Sequence, residues 1–206
     1  MQIILENLGK RFNKQWIFDG LNYEFEQGKR YVILGRNGSG KSTLLQIIAG
    51  FRVPSNGKVI FKGSDKDIPV DIHYKYISIA APYLELIEDF NISELLKFHF
   101  GLKTLIPGID LDEIESLLQI SDIQGKPVKQ YSSGMKQRLK LALAFFTHTP
   151  VLLLDEPCSN LDAHGIKWYR DLLASYSAER LTVICSNHQE NEYTPVDKMI
   201  EIEHYK

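Results

Sequence analysis

The sequence predicts an α/β protein with a mixed but largely parallel central sheet, and three observations support this prediction. Short, continuous apolar runs at residues 31–34, 151–154 and 181–185 are typical of strands that are buried on both faces. Segments with the apolar spacing of helices lie between these runs, as the crossovers of a parallel sheet require. A glycine-rich loop follows the first run and polar residues follow the other two, and ligands of such sheets bind beyond the carboxyl ends of the strands. We therefore expect the functional site at that edge.

The N-terminal part of the chain predicts a smaller antiparallel β subdomain. Residues 3–8 are predicted as a first strand, and residues 21–26 alternate between apolar and polar side chains, which indicates a strand with one solvated face. Residues 63–70 are polar and are predicted as a loop. The other predicted strands are residues 58–62, residues 76–80 and, as a terminal edge strand, residues 198–202.

A helical subdomain is predicted between the strands, at about residues 84–130. Asn91 and Glu94 have the spacing of a capping box, and Asp110 can cap a second amphipathic helix. The rest of the chain, about residues 1–83 and 131–206, would form the core and its β subdomain. We therefore expect a single domain over residues 1–206.

Composition and charge restrict the class of protein. With 44% apolar and 24% charged residues, the 206-residue chain has the composition of a globular protein. A net charge of −2 with dispersed lysines and arginines gives no basic field, so we expect no nucleic-acid partner. Cys158 and Cys185 follow no metal or redox spacing, which favours reduced thiols over a disulfide. No leader sequence or membrane-spanning run is predicted.

Residues 35–43, the phosphate loop, match the pattern G-x-x-x-x-G-K-[ST] at every fixed position. A strand precedes the loop and a helical pattern that stops at Gly50 follows it, as the motif requires. The glycines let backbone N–H groups surround a phosphate, Lys41 supplies a charge for the β- and γ-phosphates, and the Ser42 hydroxyl can bind Mg²⁺. A glycine-rich turn without a ligand is the alternative. The predicted nucleotide-binding residues are Gly35, Asn37, Gly38, Ser39, Gly40, Lys41, Ser42 and Thr43.

Two carboxylates stand at the end of the predicted central strand 151–154. Asp155 is placed to bind Mg²⁺, directly or through water, and Glu156 could hold and deprotonate an attacking water. A strand that ends in a solvated acidic turn is the alternative. The phosphate loop in the same chain argues against that alternative.

Three aromatic side chains have two interpretations each. His188 follows the predicted strand 181–185, and it could sit beside a γ-phosphate or be a surface-loop histidine. Phe12 and Trp16 are placed on a short polar loop, where they could stack on a purine ring or cap the small sheet. Residue type alone favours packing for both.

Five features in this order resemble the ATP-binding cassette (ABC) family, the ATPase subunits of ABC transporters, over essentially the whole chain. Besides the phosphate loop, residues 131–138 look like the family's signature motif, and residues 154–157 are similar to its second phosphate-site motif. Residues 159–162 match its aspartate loop, and His188 matches its switch histidine. A signature helix that ends directly before an acidic strand end is far more specific than a phosphate loop alone.

The resemblance implies a role for each matching residue. Phe12 would stack on adenine, and Lys41 would hold the phosphates together with the loop amides. Glu156 would polarise the catalytic water, and His188 would contact the γ-phosphate. The resemblance thus implies ATP and Mg²⁺ as cofactors of a Mg²⁺-dependent ATPase.

The resemblance also implies partners. In the family two cassettes pack head-to-tail, so Ser132, Ser133 and Gly134 of one chain would close on the ATP held by the other. The resemblance also implies that Asp162 of the aspartate loop belongs to the nucleotide-binding residues. Because one copy of each motif is present, the chain would pair with itself or with a related cassette. It would drive a membrane-spanning permease in a separate chain, from the cytoplasmic face of the cell membrane.

Two departures from the family pattern affect this expectation. The family usually has a glutamine after the strand that precedes the helical subdomain, whereas residues 79–83 contain none and Ala81 or Pro82 takes its place. In the signature segment Ser133 replaces a glycine and Met135 replaces a glutamine, with a loss of hydrogen-bonding capacity.

The expected function is therefore ATP hydrolysis that drives transport. The alternative is a cassette that binds ATP and dimerises but hydrolyses poorly and regulates a complex. The missing glutamine motivates this alternative, and the retained Glu156 and His188 argue against it. A cassette that acts on nucleic acid would need a basic surface for the polyanion, and the net charge of −2 does not indicate one. A kinase would leave the signature segment unexplained.

Overall fold

The computed structural model describes residues 1–64, 66–120 and 125–206. Asp65 of the predicted loop and residues 121–124 of the predicted helical subdomain lie outside the described residues. The strands are β1 (Gln2–Phe12), β2 (Gln15–Glu26), β3 (Arg30–Leu34), β4 (Asn56–Lys62), β5 (Asp67–Ile68), β6 (Ile77–Ala80), β7 (Val151–Asp155), β8 (Leu181–Ser186) and β9 (Lys198–Glu201). The α-helices are α1 (Lys41–Ile48), α2 (Ile92–Leu102), α3 (Leu111–Leu117), α4 (Ser133–Phe146) and α5 (Ala163–Tyr176).

Five strands form the central sheet in the order β6-β7-β8-β3-β9, which confirms the predicted α/β fold class. All the neighbouring strands described in it pair in parallel, so the sheet is more uniform than the mixed one predicted. Leu34 pairs with Ser186, and Asp155 pairs with Cys185. The carboxyl ends of β3, β7 and β8 therefore lie at one edge, where the segments that follow them emerge side by side.

A second sheet, with the order β2-β1-β4-β5, is antiparallel and confirms the predicted β subdomain. The hairpin of β1 and β2 pairs as far as Phe12 with Gln15, so the predicted loop carrying Phe12 and Trp16 is wrong. Asn13, with φ 54°, lies in the two-residue turn between the strands, and asparagine accepts this left-handed conformation more easily than most residues. β5 lies inside residues 63–70, so that segment is not entirely a loop either.

Two of the helices, α2 and α3, begin directly after the capping residues that the sequence predicts. The capping box before α2 is confirmed, with Glu94 N donating to Asn91 Oδ1 at 3.0 Å and Asn91 N donating to Glu94 Oε2 at 2.9 Å. The Asp110 carboxylate caps α3 as predicted. Helix α5 was not predicted, although Asp162 caps it by accepting from Gly165 N at 2.7 Å. The division into a core and a helical subdomain at residues 84–130 stays a prediction.

The middle strands of the central sheet carry continuous apolar runs because both faces of the sheet are covered. Along β7, Leu152 and Leu154 belong to an apolar cluster that includes residues of α4 and α5. Val151 and Leu153 alternate with them and belong to a second cluster, which includes residues of α1 and the antiparallel sheet. This alternation explains the continuous apolar runs in the sequence.

Two expectations from composition have a structural counterpart. Cys158 and Cys185 are both free, as predicted, and both are buried. Over residues 1–64, 66–120 and 125–206, the helices are too short or too polar to cross a bilayer.

Candidate functional site

The phosphate loop runs from the end of β3 into the first turn of α1. Gly40 precedes α1 with φ 110°, and a Cβ at this position would lie 2.5 Å from Ile17 Cγ2, so the close approach requires glycine. The Lys41 side chain is buried, and its Nζ donates to the carbonyl oxygens of Gly35 at 2.8 Å and Arg36 at 3.2 Å. The ammonium is thus held against the backbone of the loop, at a helix N-terminus that suits an anion.

The other predicted residues of the loop surround the same helix start. Ser42 and Thr43 are half-buried in the first turn of α1, and Asn37 and Gly38 are exposed. Ser39 is buried, and its hydroxyl has no hydrogen-bond partner within the described structure. The first turn of α1 carries no acidic side chain. The loop can therefore receive a phosphate without repulsion from its own helix.

Asp155 ends β7 and is 1% exposed, and neither oxygen of its carboxylate has a hydrogen-bond partner in the part of the chain described here. Burial raises its pKa to about 6, against the lowering effects of the Ser42 hydroxyl and the Lys41 charge. A buried carboxylate without a partner costs free energy that a bound cation would offset. The pair of Asp155 and Ser42 therefore fits a cation.

The donor set at this position suits Mg²⁺. The described residues contain no cluster of three or more His, Cys, Asp or Glu side chains that could hold a metal by themselves. Mg²⁺ commonly takes one or two protein oxygens and completes its coordination with phosphate and water. One carboxylate and one hydroxyl beside a phosphate loop meet that requirement.

Glu156 stands where the chain turns out of the sheet. Its N–H donates to Cys185 O at 3.0 Å, which extends the pairing of β7 with β8 by one residue. Its φ is 44°, a left-handed conformation that is uncommon for glutamate and costs about 1–3 kcal/mol. The half-buried carboxylate is close enough to Asp155 to contribute to the raised pKa of that residue. The two carboxylates thus face one region.

His188 lies in a turn beyond β8, which we call the histidine turn (residues 186–192). The residue is exposed and has φ 56°, and the turn is closed by Gln189 N donating to Ser186 Oγ at 3.1 Å. Because Ser186 pairs with Leu34, the histidine turn begins beside the start of the phosphate loop. The structure thus brings His188 to the same edge as Lys41.

The place of the family's glutamine is occupied by a turn in which Ala81 is buried and Pro82 is exposed. Ala80 pairs with Leu154, so the residues after β6 emerge next to the two carboxylates. Ala81 is fully buried, and Lys140 Nζ donates to the carbonyl oxygens of Ala81 at 3.4 Å and Pro82 at 3.0 Å. This lysine fixes the turn to α4.

Tyr83 is a site residue that sequence reasoning missed. The residue is 38% exposed, and the partial burial of its side chain together with the nearby charge of Asp155 raises its pKa, whereas the neighbouring Gln46 side chain acts to lower it. Gln46 in turn accepts from Arg52 Nε at 2.9 Å. A phenol therefore stands near the carboxylates where the family pattern has an amide, and the pattern itself gives no signal for it.

The signature segment (residues 131–138) covers the start of α4. Met135 N donates to Ser132 Oγ at 3.2 Å, and Ser132 N donates to Met135 Sδ at 3.4 Å. Sulfur is a weak acceptor, so the hydrogen-bonding capacity expected to be lost at Met135 is partly retained. Ser132 and Ser133 are exposed. A Cβ on Gly134 would lie 2.8 Å from Asn160 O, so this glycine lets the signature segment pack on the aspartate loop.

The site residues thus form two groups. A surface cavity of about 380 Å³ is lined by the signature segment and the aspartate loop, whereas the phosphate loop is absent from its lining. The Asp162 carboxylate caps α5, and its Oδ1 lies 3.7 Å from the Arg138 guanidinium. Asp162 is therefore grouped with Ser132, Ser133 and Gly134, away from Lys41.

Phe12 is 41% exposed and does not pack into either apolar cluster. The Arg52 guanidinium carbon lies 5.1 Å from its ring centroid, and Lys10 Nζ lies 5.4 Å from it. The capping role that residue type favoured is therefore wrong for this ring, which is exposed at the surface and has two cationic side chains over it.

The model of the ABC transporter family matches residues 18–159, which is more than half of the chain. The chain belongs to the ABC transporter family. It is similar to the transporter ATP-binding protein YybJ of Bacillus subtilis, with 31% identity over 200 residues that cover 96% of this chain and 91% of that protein. Within the family it is therefore an ATP-binding subunit.

Solved structures show the same fold for this cassette. A putative ABC transporter ATP-binding protein from Pyrococcus furiosus has a TM-score of 0.83 at 20% identity, with 100% of both chains covered. A bacterial ABC transporter cassette solved as a dimer has a TM-score of 0.79 at 19% identity, with 98% of this chain and 95% of that chain covered. At these identities the similarity concerns the fold alone.

The family match covers the candidate site unevenly. It includes the phosphate loop, the signature segment and both carboxylates, Asp155 and Glu156. It stops at residue 159, before Asp162 and His188. It also begins after Phe12, so the roles of Phe12, Asp162 and His188 stay predictions.

Proposed function

We propose that this cassette binds Mg²⁺ and ATP and hydrolyses the ATP to ADP and phosphate. The observation that carries the proposal is the buried Asp155 carboxylate, which makes no well-formed hydrogen bond within the described residues and lies beside Lys41 and the Ser42 hydroxyl at the phosphate loop. A ligand that brings a divalent cation and phosphate oxygens would satisfy all three side chains at once. ATP with Mg²⁺ is such a ligand.

In the proposed complex the phosphates lie over the start of α1. Lys41 exchanges the carbonyl oxygens of Gly35 and Arg36 for phosphate oxygens, and backbone N–H groups of the loop supply further donors. Ser42 and Asp155 would hold Mg²⁺, and the ion would supply positive charge beside the phosphates. Adenine stacks on the exposed Phe12 ring, and Arg52 or Lys10 moves away from the face that the base covers.

Hydrolysis in this proposal is a displacement by water at the γ-phosphorus. Glu156 orients the water and accepts its proton as the new oxygen–phosphorus bond forms. The bond from the γ-phosphorus to the bridging oxygen breaks, and ADP leaves with that oxygen. His188 donates a hydrogen bond to the γ-phosphate and stabilises the charge that develops there.

The separation of the two groups of site residues supports a head-to-tail pair of cassettes. Ser132, Ser133 and Gly134 form an exposed helix start, which suits a phosphate, but the cavity they line excludes the phosphate loop of the same chain. In the proposed pair this helix start closes on the ATP held by the second chain. The partner is a second copy or a related cassette.

We further propose that the ATP-driven closure of this pair drives a permease in a separate chain at the cytoplasmic face of the membrane. A cleft of about 370 Å³ supports a partner next to the turn after β6, because its lining is largely apolar and includes Phe51 and Tyr74, which are both exposed. Lys140, which holds that turn, also lines the cleft. A permease segment seated there would contact the turn that leads to Tyr83.

The test is ATP hydrolysis by the purified chain at increasing protein concentration, with and without Mg²⁺. A rate per chain that rises with concentration, requires Mg²⁺ and vanishes in Glu156→Gln is expected for a self-pairing ATPase. Hydrolysis that is near zero at all concentrations, despite ATP binding, would contradict the self-pairing ATPase. Addition of a permease or of a related cassette would then separate an incomplete complex from a regulatory cassette.

A further inference from the structure

Glu192 is a buried carboxylate that the proposed reaction does not use. It ends the short 3₁₀ helix Glu190–Glu192 and is 1% exposed, whereas Glu190 is exposed. Each of its oxygens has its own partner. Oε1 accepts from Cys158 N at 3.2 Å, and Oε2 accepts from the Ser186 hydroxyl at 2.5 Å. Burial raises the pKa of Glu192, while both hydrogen bonds act to lower it.

These two hydrogen bonds join the two segments that carry the proposed reaction. Cys158 follows Glu156 by two residues and opens the stretch that leads to the aspartate loop. Ser186 begins the histidine turn, and its hydroxyl also accepts from Gln189 N at 3.1 Å. One carboxylate therefore connects the segment of Glu156 to the turn that presents His188.

Hydrogen bonds of the Glu192 backbone hold this residue in place. Glu192 N donates to Gln189 O at 2.9 Å, and the carbonyl oxygen of Glu192 accepts from Tyr169 Oη at 2.6 Å. Tyr169 is fully buried on α5, the helix that follows the aspartate loop. Glu192 is thus attached to a rigid element and can set the spacing of the segments that it joins.

Both segments need such support because of their backbone conformations. Glu156 and His188 have φ values of 44° and 56°, and non-glycine residues keep left-handed conformations only where their surroundings hold them. One hydrogen bond of Glu192 holds Cys158, two residues after Glu156. The other holds Ser186, two residues before His188.

We infer that Glu192 is a positioning residue that holds Glu156 and His188 in a fixed relation to each other. The inference rests on the proposed ATP hydrolysis. Within the described residues the side-chain hydrogen bonds of Glu192 go to Cys158 and Ser186, and neither the phosphate loop nor Asp155 is a partner, so its loss should affect the reaction more than ATP binding. Because nucleophile and charge-stabilising groups must be held within fractions of an ångström, a loose histidine turn should slow the chemical step.

The experiment compares kcat and KM for ATP in Glu192→Ala, Glu192→Gln and the matched control Glu190→Ala. We expect Glu192→Ala to lower kcat by about 10- to 100-fold, with KM unchanged within about twofold. Glutamine keeps an acceptor for Cys158 N and a polar group for the Ser186 hydroxyl, so Glu192→Gln should restore most of kcat. The exposed control should match the wild type. Equal rates in all four proteins would overturn the inference, as would a rise in KM that accounts for the whole loss.

A second measurement decides the inference even if the wild type does not hydrolyse ATP. Amide hydrogen exchange of the nucleotide-free chains should accelerate in Glu192→Ala over both residues 156–162 and residues 186–192. Ser186→Ala keeps the Cys158 bond, so it should accelerate exchange in the histidine turn alone. Faster exchange restricted to the 3₁₀ helix of Glu192 would overturn the coupling of the two segments. An inactive wild type with the expected exchange pattern would count against the proposed function and leave the positioning role supported.

Discussion

The phosphate loop with Asp155 and the signature segment with the aspartate loop differ in how their polar groups are satisfied. In the first region the Ser39 hydroxyl and both Asp155 oxygens are buried and make no hydrogen bond within the described residues. In the second, the Tyr131 hydroxyl is likewise buried without a described partner, but the groups that face the cavity are satisfied or solvated: Ser132 takes part in a capping box, Asp162 caps α5, and both are exposed. The first region therefore holds a buried charged group that a ligand would satisfy, whereas the polar groups at the surface of the second need no ligand.

This difference indicates which region recruits the nucleotide. Buried polar groups without partners raise the free energy of the unliganded protein, and a ligand that pairs with them removes this cost on binding. A solvated helix start gains less from an anion, so it contributes after another part of a complex has fixed the phosphate in place. We therefore expect the phosphate loop to bind ATP in the single chain and the signature segment to act in the pair.

The largest expected effect is loss of turnover in Glu156→Gln. The amide cannot accept the proton of the attacking water, so hydrolysis should fall by about 100-fold or more while ATP binding is retained. Light scattering should then show a dimer that persists with ATP. A variant that stays monomeric with ATP would contradict the role of the signature segment in a pair of chains, because that segment would then have no nucleotide of a second chain to contact.

Complementation between the two regions gives the next effect. Lys41→Ala should weaken ATP binding at least about tenfold by calorimetry, because it removes a cation from a partly buried anion site. Ser133→Glu places an exposed carboxylate at the start of α4, which suits the helix and repels phosphate. Each variant alone should be inactive.

An equimolar mixture of these two variants should recover part of the hydrolysis. In a mixed pair the intact phosphate loop of one chain faces the intact signature segment of the other, and one composite site is complete. A mixture as inactive as its components would contradict pairing in trans. A mixture of Lys41→Ala with Glu156→Gln is the matched control, since each of its two composite sites carries one of the defects.

A smaller effect concerns stability and pH. The folded pKa of Asp155 is about 6 against 3.8 for the free group, so the folded chain binds this proton more tightly than the unfolded chain. The free energy of unfolding should therefore fall as pH rises from about 4 to 6, by no more than about 3 kcal/mol from this group.

Asp155→Asn should remove this pH dependence and weaken the stabilisation of the chain by Mg²⁺ with ATP. Urea unfolding between pH 4 and pH 8 measures both changes, with the exposed Asp171→Asn as control. An unchanged pH profile would show that Asp155 already has a partner, and the contrast between the two regions would weaken.

The smallest expected effect is at Tyr83. Tyr83→Phe removes only the hydroxyl near Asp155 and should change kcat by several-fold, about the magnitude of one neutral hydrogen bond. Tyr83→Gln restores the amide of the family pattern. If both variants hydrolyse ATP at the wild-type rate, the phenol has no part in the site, and the loss of the family's glutamine is compensated elsewhere.

The helix caps and buried strands could be read from the sequence because their causes are local. Asn91 and Glu94 satisfy each other three residues apart, and the apolar run 151–154 needs only cover on both faces. The hairpin through Phe12 was missed, since its polar strands have one solvated face and pair only because the partner strand is adjacent. Helix α5 was missed although its cap, Asp162, had been singled out for a different role.

By itself, the sequence determined the phosphate loop, the carboxylates after β7 and the order of the motifs, because each depends on residues a few positions apart. Only the tertiary structure decided the position of Tyr83 near Asp155 and the connection of Cys158 to Ser186 through Glu192. It also decided that the signature segment lies with Asp162 in a cavity that excludes the phosphate loop. These relations join residues far apart in the chain, and strand register and helix packing create them without leaving a spacing pattern in the sequence.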